Sequence, residues 1–546
     1  MNKLNLKWVT DTIGEEYKKW GKGDVVTIQA QTGTGKTYFI KNKLVPYMSD
    51  YEHMLIVSNR RYLKRQVKID LLKANGDKIP KNIEDLDKIK TIGNVTLLSY
   101  HQVAVMKKAE EEKNDILDLD YFDYIVMDEC HWFRQDADFC DKGELAWKEL
   151  IRKRHIRSVM IYISATMEDT KLMIESAIEH FKKSSFGKYS EVKLWDYTTG
   201  NDYSYLDTYY FDKVENMAVH IKNADIKYGK WIVFVTSKKM ADTMQEIITN
   251  KKVKIITAET KEDDEDLKSI LEQSKFKSDV LITTKVLDNG VNISDDTVKN
   301  IVIMAWDRVT FIQELGRVRL DIENPYEINL YIPMKCKKAF LTMEKQLGYK
   351  DSLVREFEDN KKEFMFKYRD NKNKLPNELF YVKDGQGYVE NLLGHAKVLA
   401  LLSEVRNTLD KWNDKKNKEK EYTFIKEQLS WIGLEDTFNG LYSQILDEYD
   451  EEEVDKLEEQ LNIIYDKNLV FLTAKDRTPL IETIGIIDKN HSNIKKDELV
   501  YVKNINSLNS YLEEVNSEYR IKQFETTRRY EDGTKKKFKS AWKLIK

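Results

Sequence analysis

Short runs of β-branched and other apolar residues alternate with longer amphipathic stretches up to about residue 335, and this alternation restricts the possible folds. Five such runs come first, and five more follow after a gap. The first five are Val25–Ile28, Met54–Val57, Val95–Leu98, Tyr124–Met127 and Val159–Ile163. The second five are Trp231–Val235, Val253–Ile256, Val280–Thr283, Asn300–Ala305 and Ile328–Ile332. Strands separated by helices form βαβ units and mostly parallel sheets, so we predict two α/β domains in tandem.

The regions outside these two sets have a different character. The gap contains a predicted helix at Lys171–Lys182 and a Tyr-rich stretch at Tyr203–Tyr210, to which the pattern assigns no element. Residues 391–465 are typical of long charged helices. They include the acidic run Asp447–Glu459, which has nine carboxylates and one lysine and which we interpret as a solvated helix face rather than a docking tail. The predicted domains are 1–190, 191–335, a helical accessory region at 336–470 and a basic region at 471–546.

The last 27 residues, Arg520–Lys546, contain ten Lys/Arg and three Asp/Glu. Two predicted strands, Phe524–Tyr530 and Lys535–Ile545, flank an Asp-Gly turn, and a predicted helix at Ser507–Tyr519 precedes them. A helix followed by a basic hairpin is typical of the end of a winged-helix domain. Its cationic side chains would then contact phosphates, although a hairpin with a merely solvated charged face is an equal alternative. These side chains are Arg528, Arg529, Lys535, Lys536, Lys537 and Lys539.

Net charge and cysteine content limit the partners and the compartment. The 546 residues include 90 Lys+Arg and 93 Asp+Glu, a formal net charge of −3, so a nucleic-acid site must be a local basic patch. Three cysteines without paired spacing favour a reducing cytoplasm. No apolar segment approaches the length of about 18 residues that a membrane span needs, so we expect no membrane association.

The strongest chemical signal directly follows the first predicted strand. It reads Ala30-Gln31-Thr32-Gly33-Thr34-Gly35-Lys36-Thr37 and opens a helix at Tyr38. Gly33, Thr34 and Gly35 would let backbone N–H groups surround a phosphate at the helix N-terminus. Lys36 can then reach the β/γ-phosphates and the Thr37 hydroxyl can bind Mg²⁺. Ala30 replaces the usual first glycine of this motif. Gly33 lies between Ala30 and Gly35, and this variant of the motif still forms the loop.

A second signal, Asp128-Glu129-Cys130-His131, ends the apolar strand Tyr124–Met127. A carboxylate at the C-terminal end of a parallel strand lies at the phosphate crevice. Asp128 can hold Mg²⁺ through water, and Glu129 can orient and deprotonate the attacking water. His131 would link this site to the neighbouring domain, whereas Cys130 only packs.

Together these segments resemble the superfamily 2 helicases of the DExD/H type, here with a DECH box, of the kind found in phages, mobile elements or bacterial defence systems. The resemblance covers roughly residues 15–335 in the family's motif order. It implies two RecA-like domains that hydrolyse ATP with Mg²⁺ in the cleft between them. It also implies that Ser164 and Thr166 of Ser164-Ala165-Thr166 couple hydrolysis to strand movement.

The same resemblance assigns nucleic-acid contacts to both domains. Asn59-Arg60 matches the first nucleic-acid motif and Thr236-Ser237 its counterpart in the second domain. In the segment Thr283–Ile293, Thr284 would bind backbone phosphate and Asn292 would face the nucleotide.

The sixth motif spans Gln313–Arg319 and would bring arginines to the γ-phosphate from the opposite domain. It begins at Gln313 and continues Gly316-Arg317-Val318-Arg319, which departs from the family's usual Gly-Arg-x-Gly-Arg. We favour Arg319 at the γ-phosphate and Arg317 in domain coupling, and the sequence leaves the reverse assignment open.

These features predict an ATP-dependent helicase or translocase with DNA favoured over RNA, because the upstream glutamine motif of DEAD-box RNA helicases is not visible and DECH replaces DEAD. One alternative is an RNA helicase. Another is an ATPase clamp that binds nucleic acid and recruits a protein partner through the helices at 391–465. A metabolic P-loop kinase would leave residues 205–335 without a role.

Overall fold

The computed structural model describes residues 3–59, 61–80, 82–111, 118–135, 140–153, 155–184, 191–257, 259–260, 264–284, 292–369, 375–383, 387–438, 457, 460–484, 501–514, 517–529 and 534–546. The chain forms two compact units, Met1–Leu441 and Tyr442–Lys546. The larger unit contains both predicted α/β domains and a helical region, and the smaller unit contains the basic C-terminal hairpin.

A seven-stranded sheet organises the first α/β domain. Its strand order is β3-β4-β2-β5-β6-β1-β7, and every pair is parallel except β3 with β4. The strands are β1 (Val25–Gln29), β2 (Met54–Val57), β3 (Thr91–Ile92), β4 (Val95–Leu98), β5 (Tyr124–Asp128), β6 (Val159–Ser164) and β7 (Leu194–Thr198). All five predicted runs are therefore strands of this sheet.

Helices cover both faces of the first sheet, which explains why its strands are continuously apolar. Alternate residues of one strand enter different cores: Met54 and Ile56 pack on one face, and Leu55 and Val57 on the other. The helices are α1 (Val9–Ile13), α2 (Lys36–Phe39), α3 (Val45–Tyr47), α4 (Arg61–Ala74), α5 (Ile83–Lys88), α6 (Tyr100–Glu111), α7 (Trp132–Gln135), α8 (Cys140–Trp147) and α9 (Glu168–Lys183).

The second α/β domain contains a six-stranded parallel sheet in the order β10-β11-β9-β12-β13-β8. Its strands are β8 (Leu206–Phe211), β9 (Lys230–Phe234), β10 (Val253–Ile256), β11 (Val280–Thr283), β12 (Val298–Ile303) and β13 (Ile328–Pro333). Its helices are α10 (Val214–Asn223), α11 (Lys238–Ile247), α12 (Glu265–Gln273) and α13 (Arg308–Leu315). The predicted tandem α/β architecture is confirmed.

Two strands, β7 and β8, lie between the two sets of predicted strands. The Tyr-rich stretch that the pattern did not assign forms β8, an edge strand paired with β13. The predicted boundary at 190/191 falls before β7, which pairs with β1 in the first sheet. Both are edge strands in which polar residues interrupt the apolar ones, so neither has the continuous apolar run of a central strand.

A helical region at 337–438 follows the second sheet. It contains α14 (Lys337–Asp359), α15 (Lys361–Tyr368), α16 (Leu392–Asn413) and α17 (Thr423–Trp431), with a small hairpin of β14 (Phe380–Lys383) and β15 (Gly387–Glu390). Helices α14 and α16 pack around an apolar core that includes Phe340, Leu402 and Trp412. The predicted acidic run Asp447–Glu459 lies outside the described residues except for Leu457.

The C-terminal unit has the element order of a winged-helix domain. It comprises a helix over 460–466 (α18), β16 (Val470–Phe471), α19 (Thr478–Ile484), α20 (Ile505–Glu514), β17 (Arg520–Arg529) and β18 (Lys535–Ile545). The three strands are ordered β16-β18-β17, so the predicted basic hairpin is confirmed and gains a third strand. The predicted helix at Ser507–Tyr519 ends earlier, at Glu514, because Tyr519 turns into the apolar core. The hairpin turn, 530–533, lies outside the described residues.

Among the described residues, no helix is both long enough and apolar enough to cross a membrane.

His395 provides a pH-dependent link between α14 and α16. Its Nδ1 lies 3.1 Å from Glu390 Oε1 and its Nε2 lies 2.9 Å from Asp351 Oδ1, and Arg355 pairs with the same aspartate. The hydrogen bond to Glu390 raises the pKa of His395 above its ordinary value of 6.5, against the opposing effect of burial, and Asp351 adds to the rise.

We therefore expect the stability from His395 to be complete below its ordinary pKa and to be lost as pH rises through its raised value in the folded protein. Thermal unfolding of the wild type and His395→Gln across this range tests the expectation. The difference in Tm should shrink as pH rises. A difference that does not change with pH would show that the imidazolium has no such role.

Candidate nucleotide-hydrolysis site

Strand register brings the chemically important segments to one edge of the first sheet. Strand β6 pairs with β1 through Gln29–Ser164 and with β5 through Asp128–Ile163. All three strands are parallel, so their C-terminal ends meet at the same edge. The phosphate loop after β1, the DECH box after β5 and Ser164 at the end of β6 are therefore neighbours in space.

The loop after β1 curls back at its two glycines before α2 begins. Gly33 has φ 94° and Gly35 has φ 87°, a left-handed region that L residues with a Cβ avoid. The Thr34 hydroxyl donates to the Gln31 carbonyl at 2.7 Å, which fixes the turn. Gly35 precedes the first residue of α2, so the loop presents the N-terminal N–H groups of this helix, the arrangement that binds phosphate.

Lys36 is buried and points across the loop. Its ammonium donates to the Ala30 carbonyl at 3.1 Å and lies 3.6 Å from Glu129 Oε1. The cation of the phosphate loop and the carboxylate of the DECH box are therefore close neighbours.

Thr37 and Asp128 line one cavity together with Ser58. The Ser58 hydroxyl donates to Asp128 Oδ2 at 3.1 Å and the Tyr100 hydroxyl donates to the Asp128 carbonyl at 2.9 Å. A hydroxyl and a carboxylate are hard oxygen ligands, so this pair fits Mg²⁺. Burial raises the pKa of Tyr100, which keeps its hydroxyl protonated as a donor.

A polar chain leads from Glu129 to the Ser-Ala-Thr segment. His131 Nδ1 lies 3.2 Å from Glu129 Oε2 and 2.9 Å from Ser164 Oγ, which in turn lies 3.4 Å from Thr166 Oγ1. Glu129 has φ 52°, an uncommon backbone conformation for a non-glycine residue and one that is frequent at functional sites. The three residues predicted to couple hydrolysis to movement are therefore connected to the predicted general base.

The second domain closes directly onto the phosphate loop. A Cβ added at Gly316 would lie 2.5 Å from Thr32 Oγ1, and one added at Gly33 would lie 3.7 Å from the Leu320 carbonyl oxygen. Only glycine at position 316 permits this approach. The sixth predicted motif and the phosphate loop thus form opposite walls of one cleft.

The two predicted arginines occupy different surroundings. Arg317 is buried and donates to Gln313 Oε1 at 3.2 Å, whereas the half-buried Arg319 donates to Asn292 Oδ1 from Nε and Nη2 at 3.0 and 2.7 Å. Backbone hydrogen bonds from Ile293 to Arg317 and from Arg319 to Ile293 hold the two segments together. Asn292 therefore orients the more accessible arginine.

The predicted nucleic-acid residues are partly described. Thr236 and Thr284 follow the adjacent parallel strands β9 and β11 and lie at the same edge of the second sheet, with Thr236 exposed and Thr284 half-buried. Arg60 and residues 285–291 lie outside the described residues.

Sequence reasoning missed several polar partners of this site. Ser58 follows β2, the neighbour of β5, so sheet order could have identified it. Gln31 exchanges hydrogen bonds with the backbone of Asp202, at 2.9 and 2.8 Å, in the connection between the two sheets. Nothing in the local sequence signals that pairing.

No curated protein matches this chain. Among solved structures, a variant of S. cerevisiae Dbp5 bound to RNA and ADP BeF3 is 19% identical, with 57% of this chain and 79% of that chain covered and a TM-score of 0.40. E. coli DEAH/RHA helicase HrpB is 13% identical, covering 61% and 43%, with a TM-score of 0.39. M. smegmatis helicase Lhr bound to ssDNA and AMP-PNP is 14% identical, covering 63% and 47%, with a TM-score of 0.39.

Two family models match the two α/β domains in succession. The model described as type III restriction enzyme, res subunit, matches residues 7–169. The model described as helicase conserved C-terminal domain matches residues 212–320. The first match contains the phosphate loop and the DECH box, and the second contains the arginine motif that closes on them. Residues 7–169 and 212–320 therefore carry the two RecA-like domains of a superfamily 2 ATP-hydrolysing helicase.

Proposed function

We propose that this helicase-family ATPase is a DNA translocase or helicase, and that it hydrolyses ATP in the cleft where Gly316 meets Thr32. The observation that supports this site best is the shared volume of Lys36, Glu129 and the His131–Ser164 pair, because these groups come from three different strands. We also propose roles for individual residues and DNA as the substrate.

Positioning and charge stabilisation account for most of the catalysis of phosphoryl transfer. Lys36 and the N–H groups after Gly33 hold the phosphates, while Glu129 orients the attacking water and accepts its proton. Bound through Thr37 and Asp128, Mg²⁺ would neutralise charge on the phosphate oxygens. Arg319, oriented by Asn292, stabilises the charge that develops at the γ-phosphate, and Arg317 with Gln313 holds the segment that carries it.

Strand movement follows from opening and closing of the same cleft. Arg60 would grip the nucleic-acid backbone on the first domain, and Thr236 and Thr284 on the second. The chain Glu129–His131–Ser164–Thr166 connects the state of the hydrolysis site to the edge of the first sheet. Backbone-only contacts would make binding sequence-tolerant and salt-sensitive.

The hairpin of the C-terminal unit supports a polyanionic substrate, and we propose that this substrate is duplex DNA. In its register Arg528 lies opposite Lys536 and Arg529 opposite Lys535. Like charges directly opposite each other destabilise a hairpin, so two such rungs suit an anionic partner. The neighbouring Lys537 is paired with Glu525 at 2.6 Å and can exchange that partner for phosphate.

Two other functions remain open. An RNA helicase would use the same cleft, and a clamp that recruits a protein partner would use the exposed faces of the helices at 391–465. Strand-separation assays that compare DNA and RNA duplexes test for the RNA helicase. Binding of a protein partner without unwinding would identify the clamp. We further propose a cytoplasmic location and a phage, mobile-element or defence context. The low cysteine content supports the location, and the sequence resemblance supports the context.

Replacing the proposed general base tests the chemistry. In Glu129→Gln we expect kcat to fall by at least about 100-fold, since proton transfer by a positioned base contributes roughly 10²–10⁴. The amide keeps the shape of the site, so ATP should still bind and nucleic-acid binding should tighten. The ATPase rate and the Kd for nucleic acid are measured for Glu129→Gln and for a control variant, Glu84→Gln, which changes an exposed glutamate. Wild-type hydrolysis by Glu129→Gln would assign the base elsewhere.

Removing charge at the hairpin tip tests the DNA contact without unfolding the unit. Ile521, Trp542 and Leu544 form part of its core, so deletion of residues 520–546 would confound folding with binding. We expect Arg529→Gln/Lys535→Gln to weaken duplex DNA binding and to lower the salt slope by about one per lost phosphate contact. The control is Lys522→Gln/Lys543→Gln, which removes another facing pair in the same hairpin. Equal effects of the two double variants, or none, would reject the tip as the contact.

A further inference from the structure

Helix α7 directly follows the DECH box and is described over Trp132–Gln135. Its backbone is bonded to the box itself: Trp132 N–H donates to the Glu129 carbonyl at 3.0 Å, and Arg134 N–H donates to the His131 carbonyl at 2.9 Å. Trp132 also stacks on Tyr100, the donor to the Asp128 carbonyl. A displacement of α7 therefore displaces the catalytic carboxylates.

The far end of α7 is held by α16 of the helical region. Arg134 Nη2 lies 2.6 Å from Glu404 Oε1, and Lys397 Nζ donates to the Gln135 carbonyl at 2.6 Å. The Arg134 side chain is only 7% exposed, so its charge depends on the groups that face it. One helix thus binds both a side chain and a backbone carbonyl of α7.

The helical region is attached more firmly to the second sheet than to the first. Ile425, Leu429 and Ile432, in and just after α17, enter the core of the second domain, and Gln428 donates to the Pro333 carbonyl at 3.1 Å. Among the described residues, the helical region contributes Leu393 to the cores of the first domain, beside the polar bonds to α7 and a hydrogen bond from the Tyr381 hydroxyl to Glu144 Oε2 at 3.4 Å. The larger apolar contact with the second domain favours movement of the helical region together with that domain. The polar bonds to α7 can then break and re-form as the two domains move.

Glu404 lies where three parts of the larger unit meet. Arg308 at the start of α13 in the second domain pairs with Glu168 of the first domain at 2.6 Å, and Gln29 donates to the same Glu168 oxygen at 2.9 Å. Burial raises the pKa of Glu404 while Arg134 and Arg308 oppose the rise and Asp307 adds to it. The ion pair of α7 and the ion pair between the two domains therefore belong to one junction.

We infer that Glu404 and Lys397 are positioning residues for Glu129: when the cleft closes, α16 arrives with the second domain and locks α7, and through it the DECH box, in the hydrolytic geometry. When the cleft opens, the polar bonds to α7 are released and Glu129 loses its support. This role rests on the proposed hydrolysis site and adds the helical region to it.

A double-mutant cycle on the ion pair tests this role. Glu404→Gln and Arg134→Gln are each expected to lower kcat for ATP about tenfold, because small misplacements of a catalytic group are costly. KM for ATP should stay within about twofold, since the phosphate loop is untouched. The double variant should be no worse than either single one, because the two residues act as a unit. Glu404→Asp should recover part of the loss.

The matched control is another ion pair of α16, whose acidic partner lies on α14. Glu344→Gln breaks the Arg406–Glu344 pair, 3.1 Å, which joins α16 to α14 without contacting α7, and it should leave kcat unchanged. Hydrogen exchange at the α7 amides is measured alongside, with a non-hydrolysable ATP analogue. It should be faster in Glu404→Gln than in the wild type and in the control.

Three results would overturn the inference: wild-type kcat and exchange in Glu404→Gln, additive losses in the double variant, or an equal loss in Glu344→Gln. A wild-type protein that does not hydrolyse ATP would contradict the proposed function instead. The exchange comparison would still decide whether α16 holds α7.

Discussion

The parallel pairing of β6 with β1 on one side and β5 on the other is the constraint on which the rest of the site depends. This pairing places Gln29 beside Ser164 and Asp128 beside Ile163, so three loops from distant parts of the sequence leave the sheet at one edge. The buried strands that make the pairing have little freedom of register. A slip by one residue would move every core side chain to the opposite face. The positions of Lys36, Glu129 and His131 are therefore fixed by hydrophobic packing below them.

The second domain depends on the first for a complete site. Gly316 allows the arginine segment to approach Thr32 closely, and Asn292 holds Arg319 on that side of the second domain. The two halves are also joined away from the cleft. Leu4 and Leu6 are buried in the core of the second domain, whereas Val9, only a few residues later, is buried in that of the first. Burial of a leucine stabilises by roughly 1.5–3 kcal/mol, so this segment is a substantial connection between the domains.

Much of the fold could be predicted because central strands are short, apolar and β-branched, and all ten predicted runs are strands. The phosphate loop and the DECH box were predictable because each is a continuous segment whose chemistry follows from its own residues. The edge strands β7 and β8 were not, since their polar sides resemble loop sequence. Contacts such as Ser58–Asp128, Gln31–Asp202 and Arg134–Glu404 join residues 70, 171 and 270 positions apart. These pairs become visible only when sheet order and helix packing are known.

The steady-state ATPase rate tests the proposed nucleic-acid motor most directly. It is measured at fixed low salt with no nucleic acid, single-stranded DNA, duplex DNA and single-stranded RNA, for the wild type and for Lys36→Ala. We expect strong stimulation of the wild type by DNA and little by RNA, with turnover abolished in a folded Lys36→Ala protein under every condition. Turnover retained by Lys36→Ala would contradict the phosphate-loop assignment. A wild-type rate unaffected by any nucleic acid would contradict a nucleic-acid motor, and equal stimulation by RNA would contradict the preference for DNA.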